Sequence, residues 1–200
     1  AAPCLAIDLP GCGLSEFKPD DLNAYTTKAF AELVAAAIDR HRAVDQKVVI
    51  LGHSMGCSIA ALLASSTSPL SSVFFDAGHI AGVIAICPKS APPSPQQVRI
   101  VRKYVRYLPA FVLDMYRFFD SLGGPNSASV VRFVGKDSDL ETRKLQVRYN
   151  KQSKSAVFLR YLTSLVENSE DGSPIFPGKD IWQGLKVPLF LVAGEADHVS

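Results

Sequence analysis

Short apolar runs along the chain predict the strands of a sheet. Lys47–Leu51, Ile80–Cys87 and Val187–Ala193 are almost continuously apolar, which is typical of strands buried in a sheet. A shorter run over Pro3–Asp8 predicts one more strand, and the Pro and Gly residues that follow it predict a turn.

Two longer segments have apolar residues at helical spacing instead. Ala24–His41 and Met55–Ser66 are predicted helices, and Asn23 or Thr26 is the candidate cap of the first. The order strand, helix, strand is typical of β-α-β units with a parallel sheet. We therefore predict an α/β fold in which helices cover both faces of a mostly parallel sheet.

Between the last two buried strands the pattern changes to helices alone. Gln97–Phe119 carries an apolar stripe, Ser138–Glu141 has the form of a capping box that begins a second helix, and Val157–Val166 predicts a third. We interpret this segment as a helical insertion, or lid, over the sheet. The predicted units are a core over 1–94, the lid over 95–170 and a return to the core over 171–200.

Charge is divided unevenly between the core and the lid. Residues 95–160 carry thirteen Lys/Arg and five Asp/Glu, whereas the rest of the chain carries eight and fourteen. Because basic residues accompany the apolar stripe of the first lid helix, an anionic membrane surface is a candidate partner; an ordinary lid helix with a solvated basic face is the alternative. The basic residues of this helix are Arg99, Arg102, Lys103 and Arg106. The acidic core and the lack of a reader motif argue against nucleic acid.

The remaining composition is that of a globular protein, with 48% hydrophobic and 20% charged residues. The apolar run Ile80–Cys87 is far shorter than the roughly 18 residues that a membrane span needs. Four cysteines without a C-x-x-C pair predict reduced thiols, no metal or redox centre, and an intracellular location, cytoplasmic or membrane-associated. No cofactor is predicted, and the sequence does not set the oligomeric state.

The segment Gly52-His53-Ser54-Met55-Gly56 fits the pattern G-x-S-x-G between a predicted strand and a predicted helix. On such a sharp turn the serine oxygen stands above the sheet, and side chains at the two glycine positions would collide with neighbouring backbone. The N-terminus of the next helix favours negative charge, so the Met55 N–H is a candidate oxyanion donor and Ser54 a candidate nucleophile. An ordinary tight turn with a small polar residue is the alternative.

Three motifs together resemble the α/β-hydrolase superfamily. Asp8-Leu9-Pro10-Gly11-Cys12-Gly13-Leu14-Ser15 is similar to the D-x-P-G-x-G-x-S turn after the family's fourth core strand. Gly52–Gly56 resembles its nucleophile elbow, and Leu189–Asp197 resembles its seventh strand and G-x-x-D acid loop. Their order is that of the family, in the lid-bearing esterase and monoacylglycerol-lipase type.

The resemblance implies a role for each motif. Ser54 is the expected nucleophile and Asp197 the expected triad acid, with a simple turn carboxylate as the alternative for Asp197. Family order places the catalytic histidine after the acid, at a position this chain does not reach. The histidines present are His41, His53, His79 and His198. None of them is expected to be the base. The first strands and the loop with the second oxyanion donor are also missing, so the 200-residue piece is expected to be inactive and poorly stable alone.

These expectations lead to one function and two alternatives. The expected function is a serine hydrolase of the esterase or lipase type that cleaves a carboxylic ester, a lipid ester among the candidates, through an acyl-enzyme. An amide or a thioester is the alternative substrate. A non-catalytic hydrolase-fold module for binding or scaffolding is the alternative class. A serine at this position argues against epoxide hydrolase or dehalogenase chemistry, which needs a carboxylate nucleophile.

Overall fold

The sheet consists of three parallel strands with the order β1-β2-β3. The computed structural model of the chain describes residues 3–18, 20–21, 23–71, 78–89, 93–164 and 177–194. Its strands are β1 (Val48–His53), β2 (Ile80–Ile86) and β3 (Leu189–Val192). Its helices are α1 (Thr27–His41), α2 (Met55–Ala64), α3 (Pro95–Lys103), α4 (Ala110–Ser121), α5 (Ala128–Val134), α6 (Leu140–Gln152), α7 (Ser155–Ser164) and α8 (Lys179–Gln183).

The strand register places the carboxyl ends of all three strands at one edge of the sheet. His53 of β1 pairs with Ile86 of β2, and Ile86 in turn pairs with Val192 of β3. Helix α2 follows β1 and packs on β1 and β2, as expected of a β-α-β unit. The parallel sheet, the helices around it and the helical insertion between β2 and β3 confirm the predicted fold class.

The main core lies between α2, α1 and one face of the sheet. Phe30, Leu62 and Leu63 are each 1% exposed there, and Val83 of β2 is buried against the small residues of α2. The other face differs, since Val49 and Leu51 of β1 are 57% and 63% exposed. Within the described residues, helices therefore cover one face of the sheet, although the sequence predicts cover on both.

The strand predicted over Pro3–Asp8 is absent, because residues 3–9 have no regular secondary structure. A strand needs a neighbour to pair with its N–H and C=O groups. In the described residues the sheet ends at β1, which pairs only with β2. The apolar pattern of residues 3–8 does not show whether a neighbouring strand is present. The turn predicted to follow is present, with the Gly11 N–H donating to the Glu16 carbonyl at 2.9 Å.

The helix predicted over Gln97–Phe119 is two helices, α3 and α4, joined by a short 3₁₀ turn over Val105–Tyr107. Leu108 is extended (φ −72°, ψ 117°) because the ring of Pro109 excludes helical geometry at the preceding residue. Pro109 is the N-cap of α4, where its missing N–H costs no helical hydrogen bond.

Two helix caps also refine the sequence predictions. Thr26 caps α1 by accepting from the Ala29 N–H at 3.0 Å, one of the two caps that were predicted. The capping box predicted at Ser138 is wrong, since Asp139 is the N-cap of α6 and accepts from the Thr142 N–H at 2.9 Å. The predicted unit boundaries at 94, 170 and 171 stay predictions. The last two fall within residues 165–176, which lie outside the described residues.

Candidate active site

Ser54 occupies a strained turn where β1 ends and α2 begins. Its backbone has φ 50° and ψ −114°, a conformation that costs a non-glycine residue about 1–3 kcal/mol. The turn is held from both sides, because the Ser54 N–H donates to the Ile86 carbonyl at 2.9 Å and the Cys57 N–H donates to the Ser54 carbonyl at 3.0 Å. The serine itself is exposed at the carboxyl edge of the sheet.

The two glycines of the turn differ in whether their surroundings leave room for a side chain. A Cβ at Gly52 would lie 2.5 Å from the carbonyl carbon and oxygen of Gly56 and 2.7 Å from the Cys57 nitrogen, so only glycine lets β1 and α2 approach this closely. A Cβ at Gly56 would meet no atom within 4 Å in the described part of the chain, its own helical turn aside. The collision predicted at both positions is therefore found at Gly52 alone.

The N-terminus of α2 provides backbone donors beside Ser54. Met55 is the first residue of the helix, so the helix itself offers no partner to its N–H. The helix dipole adds positive potential at the same end. An oxygen that becomes negative next to Ser54 would be stabilised by both.

The Cys57 side chain contacts both strands that border this turn. Its side chain is fully buried, and its Sγ lies 3.2 Å from the carbonyl oxygens of both Gly52 and Ile86. Burial raises the pKa of the Cys57 thiol. The thiol is therefore a packing and hydrogen-bonding group rather than a second nucleophile.

The predicted acid Asp197 lies outside the described residues, as does His198. The strand before it is described, and β3 ends at the same edge of the sheet as Ser54, with the Val192 carbonyl accepting from the Cys87 N–H at 2.7 Å. One strand separates β1 from β3, which corresponds to about 10 Å.

Among the described residues, no hydrogen bond joins a histidine to Ser54. His79 is at the opposite end of the sheet, where its Nε2 is 2.9 Å from the Arg42 guanidinium, and β1 between the two ends is about 20 Å long. His41 ends α1, and His53 is the strand residue whose backbone leads into the turn.

The turn over residues 8–15 is organised by its own polar side chains. The Asp8 carboxylate accepts from the Leu14 N–H at 3.1 Å, and the Ser15 hydroxyl donates to the Asp8 carbonyl at 2.7 Å. Gly13 has φ +51°, and a Cβ there would overlap the Asp8 carboxylate. The Asp, second Gly and Ser of the motif are thus a structural set.

The same turn receives helix α7 of the insertion, a contact that sequence reasoning missed. The Tyr161 hydroxyl donates to the Pro10 carbonyl at 2.8 Å and lies 3.3 Å from the Cys12 sulfur. A Cβ on Gly11 would come within 2.8 Å of Val157, so α7 packs closely on the glycine. Burial raises the pKa of Tyr161 well above its ordinary value. Neither motif spacing nor periodicity points to Tyr161, because the contact joins segments about 150 residues apart.

A cleft of about 440 Å³ lies between the insertion and the side of the core that contains Phe17 and Asp20. Its wall includes Phe17, Leu108, Leu159, Arg106 and Arg160, whereas Ser54 does not line it. The cleft is therefore separate from the serine.

A family model described as the alpha/beta hydrolase family matches residues 1–200. The chain belongs to the alpha/beta hydrolase family, which confirms the resemblance seen in its motifs. It is also similar to an abhydrolase domain-containing protein of Schizosaccharomyces pombe, 27% identical over 207 residues. That match covers 98% of this chain and 51% of the relative, so the chain spans about half the length of that protein.

Solved structures show the same fold. MenH from S. aureus superposes with a TM-score of 0.60 at 19% identity, covering 94% of this chain and 64% of that one. The N-acyl homoserine lactonase AidH gives 0.52 at 13% identity, with 94% and 58% covered. The bottromycin epimerase BotH gives 0.51 at 16% identity, with 95% and 70% covered. A lactonase and an epimerase share this fold, so the fold alone does not fix the reaction.

Proposed function

We propose that this chain carries the nucleophile of a serine hydrolase that cleaves a carboxylic ester through an acyl-enzyme on Ser54. The observation that carries the proposal is the strained, exposed backbone of Ser54 between β1 and α2. Strain of this kind persists only where surrounding structure enforces it, and it is concentrated at functional sites. Membership of the alpha/beta hydrolase family supports hydrolysis as the class of reaction.

In this proposal the Ser54 Oγ attacks the acyl carbon of the substrate and its proton passes to a histidine. The carbonyl oxygen becomes negative and is stabilised by the Met55 N–H at the N-terminus of α2. Collapse of the intermediate expels the alcohol, which takes the proton from the histidine. A water molecule then repeats the sequence on the acyl-enzyme and releases the acid.

The remaining roles are assigned by position. Asp197 comes five residues after the end of β3 in the sequence and would orient the histidine, whose imidazole would lie between Asp197 and Ser54. The base and the second oxyanion donor are not assigned to any of the described residues. An ester is favoured over an amide because its alcohol leaves more readily, and a thioester remains the nearest alternative.

Hydrolysis by the full-length protein and its Ser54→Ala variant tests the proposal. Three substrates that share the same acyl group but carry an ester, a thioester or an amide linkage show which bond is cleaved. We expect Ser54→Ala to lower ester turnover by about 10⁴-fold or more. Ser153→Ala, at an exposed serine of the insertion, should leave turnover unchanged. A folded wild-type protein without activity would support the scaffold alternative instead. A Ser54→Ala variant with full activity would show that Ser54 is not the nucleophile.

A further inference from the structure

Helix α4 has an apolar stripe that points away from the protein. Phe111, Met115, Phe118 and Leu122 follow each other at intervals of four, three and four residues, so they share one face of the helix. They are 67%, 54%, 62% and 70% exposed. Together they present about 500 Å² of apolar surface, if each side chain offers about 200 Å². Patches of that size on a protein surface often mark an interaction site.

The opposite face of α4 fixes this orientation through polar contacts. Arg117 donates to the Ser153 carbonyl at 3.0 Å and to the Ser155 hydroxyl at 2.9 Å, and its guanidinium lies 5.3 Å from the Phe158 ring centre. An ordinary surface helix faces its apolar side inward. In α4 an arginine faces inward and the outward stripe is apolar.

Polar contacts also fix the C-terminal end of α4. Asp120 accepts hydrogen bonds from the backbone N–H and the hydroxyl of Ser129, and the Asn150 side chain donates to the same hydroxyl at 3.0 Å. The hydrogen bond from the Ser129 hydroxyl is the main cause of a lowered pKa at Asp120. Helices α4, α5 and α6 are thereby joined, so turning the outward stripe inward would break several polar contacts at once.

The segment that precedes the outward stripe in the sequence is positively charged. Residues 95–109 contain four basic and no acidic residues, and all four basic residues are exposed. Tyr104 and Tyr107 in the same segment are 61% and 74% exposed, and the Lys103 ammonium lies 5.2 Å from the Tyr104 ring centre. Aromatic rings with a polar tip and lysine or arginine side chains are favoured at the boundary between lipid headgroups and acyl chains.

We propose that α4 docks on an anionic lipid surface, with the outward stripe in the acyl boundary and the exposed Arg99 and Lys103 of α3 among the headgroups. Charge complementarity selects lipid of this type. No helix in the described parts of the chain is long and apolar enough to cross a bilayer, and the 12-residue α4 fits a position parallel to the surface. The proposal is independent of Ser54 and adds a partner to the proposed hydrolase.

Sedimentation of the full-length protein with vesicles tests the docking. One set of vesicles contains phosphatidylcholine alone, and the other contains phosphatidylcholine and phosphatidylserine in equal parts. We expect binding to the second set that weakens as salt is added. Phe118→Ser combined with Leu122→Ser should weaken it by about tenfold or more. Arg99→Glu combined with Lys103→Glu should also weaken it and flatten the salt dependence.

Matched controls separate docking from general stickiness and from folding. Val44→Ser removes an 89% exposed apolar side chain elsewhere, and Arg40→Glu reverses an exposed charge on α1. Both should bind like the wild type, and every variant should keep its melting temperature and its turnover of a soluble ester. Absent or equal binding to both vesicle types would overturn the proposal. So would a stripe variant that melts early or changes oligomeric state, because the stripe would then be covered by protein.

Discussion

Replacing Gly52 by alanine should displace the turn that presents Ser54. The added Cβ would lie 2.5 Å from the Gly56 carbonyl carbon and oxygen, whereas ordinary contacts begin at about 3.4 Å. Strand and helix would therefore have to separate by about 1 Å, and both contacting groups are backbone that cannot rotate away. Overpacking of this kind costs about 1–3 kcal/mol and occasionally more, and we expect the upper part of that range here.

Two assays on the full-length protein measure the effect. Urea denaturation should show the loss of stability, and the rate of Ser54 modification by a fluorophosphonate should fall by about 100-fold, since a displacement of 1 Å has that effect on a positioned group. Gly56→Ala is the matched control. Its Cβ would meet no described residue within 4 Å outside its own helical turn, and alanine favours a helix over glycine by up to about 1 kcal/mol, so stability and labelling should be kept or improved. A Gly52→Ala variant as stable and reactive as Gly56→Ala would refute the reasoning.

Two further substitutions test the turn and its contact with the insertion. Ser54→Gly should relieve the positive φ and raise stability by about 1 kcal/mol while it abolishes hydrolysis, whereas Ser54→Ala should abolish hydrolysis with no gain in stability. Denaturation curves that rank Ser54→Gly below Ser54→Ala would mean that the turn is not strained. Tyr161→Phe should lower stability by about 1 kcal/mol, because the Pro10 carbonyl and Cys12 sulfur lose their partner. Tyr149 is 55% exposed, so Tyr149→Phe should leave stability unchanged. Equal stabilities for the two variants would mean that the Tyr161 hydroxyl does not stabilise the turn.

Local pattern was sufficient for the central part of the fold. β1, α2 and β2 lie close to the predicted segments, because a buried strand followed by an Ala- and Leu-rich helix leaves few other arrangements. The position of Ser54 between them followed from the glycines on either side. The physical reason given for Gly56 did not hold, since its surroundings depend on packing that periodicity does not encode.

Predictions failed where the outcome depends on distant segments or on one residue. The run over 3–8 has strand character but lacks a neighbour in the described sheet. The sequence contains a signal for the split of the predicted helix, since Pro109 disfavours the helical conformation at Leu108. The apolar spacing on both sides of Pro109 nevertheless predicts one continuous helix. The contact of Tyr161 with Pro10 could not be read, because no local signal joins residues so far apart.

The proposed hydrolysis depends above all on Ser54 being an activated nucleophile. Treating the folded full-length protein with a fluorophosphonate and locating the modified residue by mass spectrometry tests this role most directly. We expect a phosphonylated Ser54 in the wild type and no modification of the Ser54→Ala variant. A folded wild type without label at Ser54, or a variant labelled elsewhere at the same rate, would contradict it.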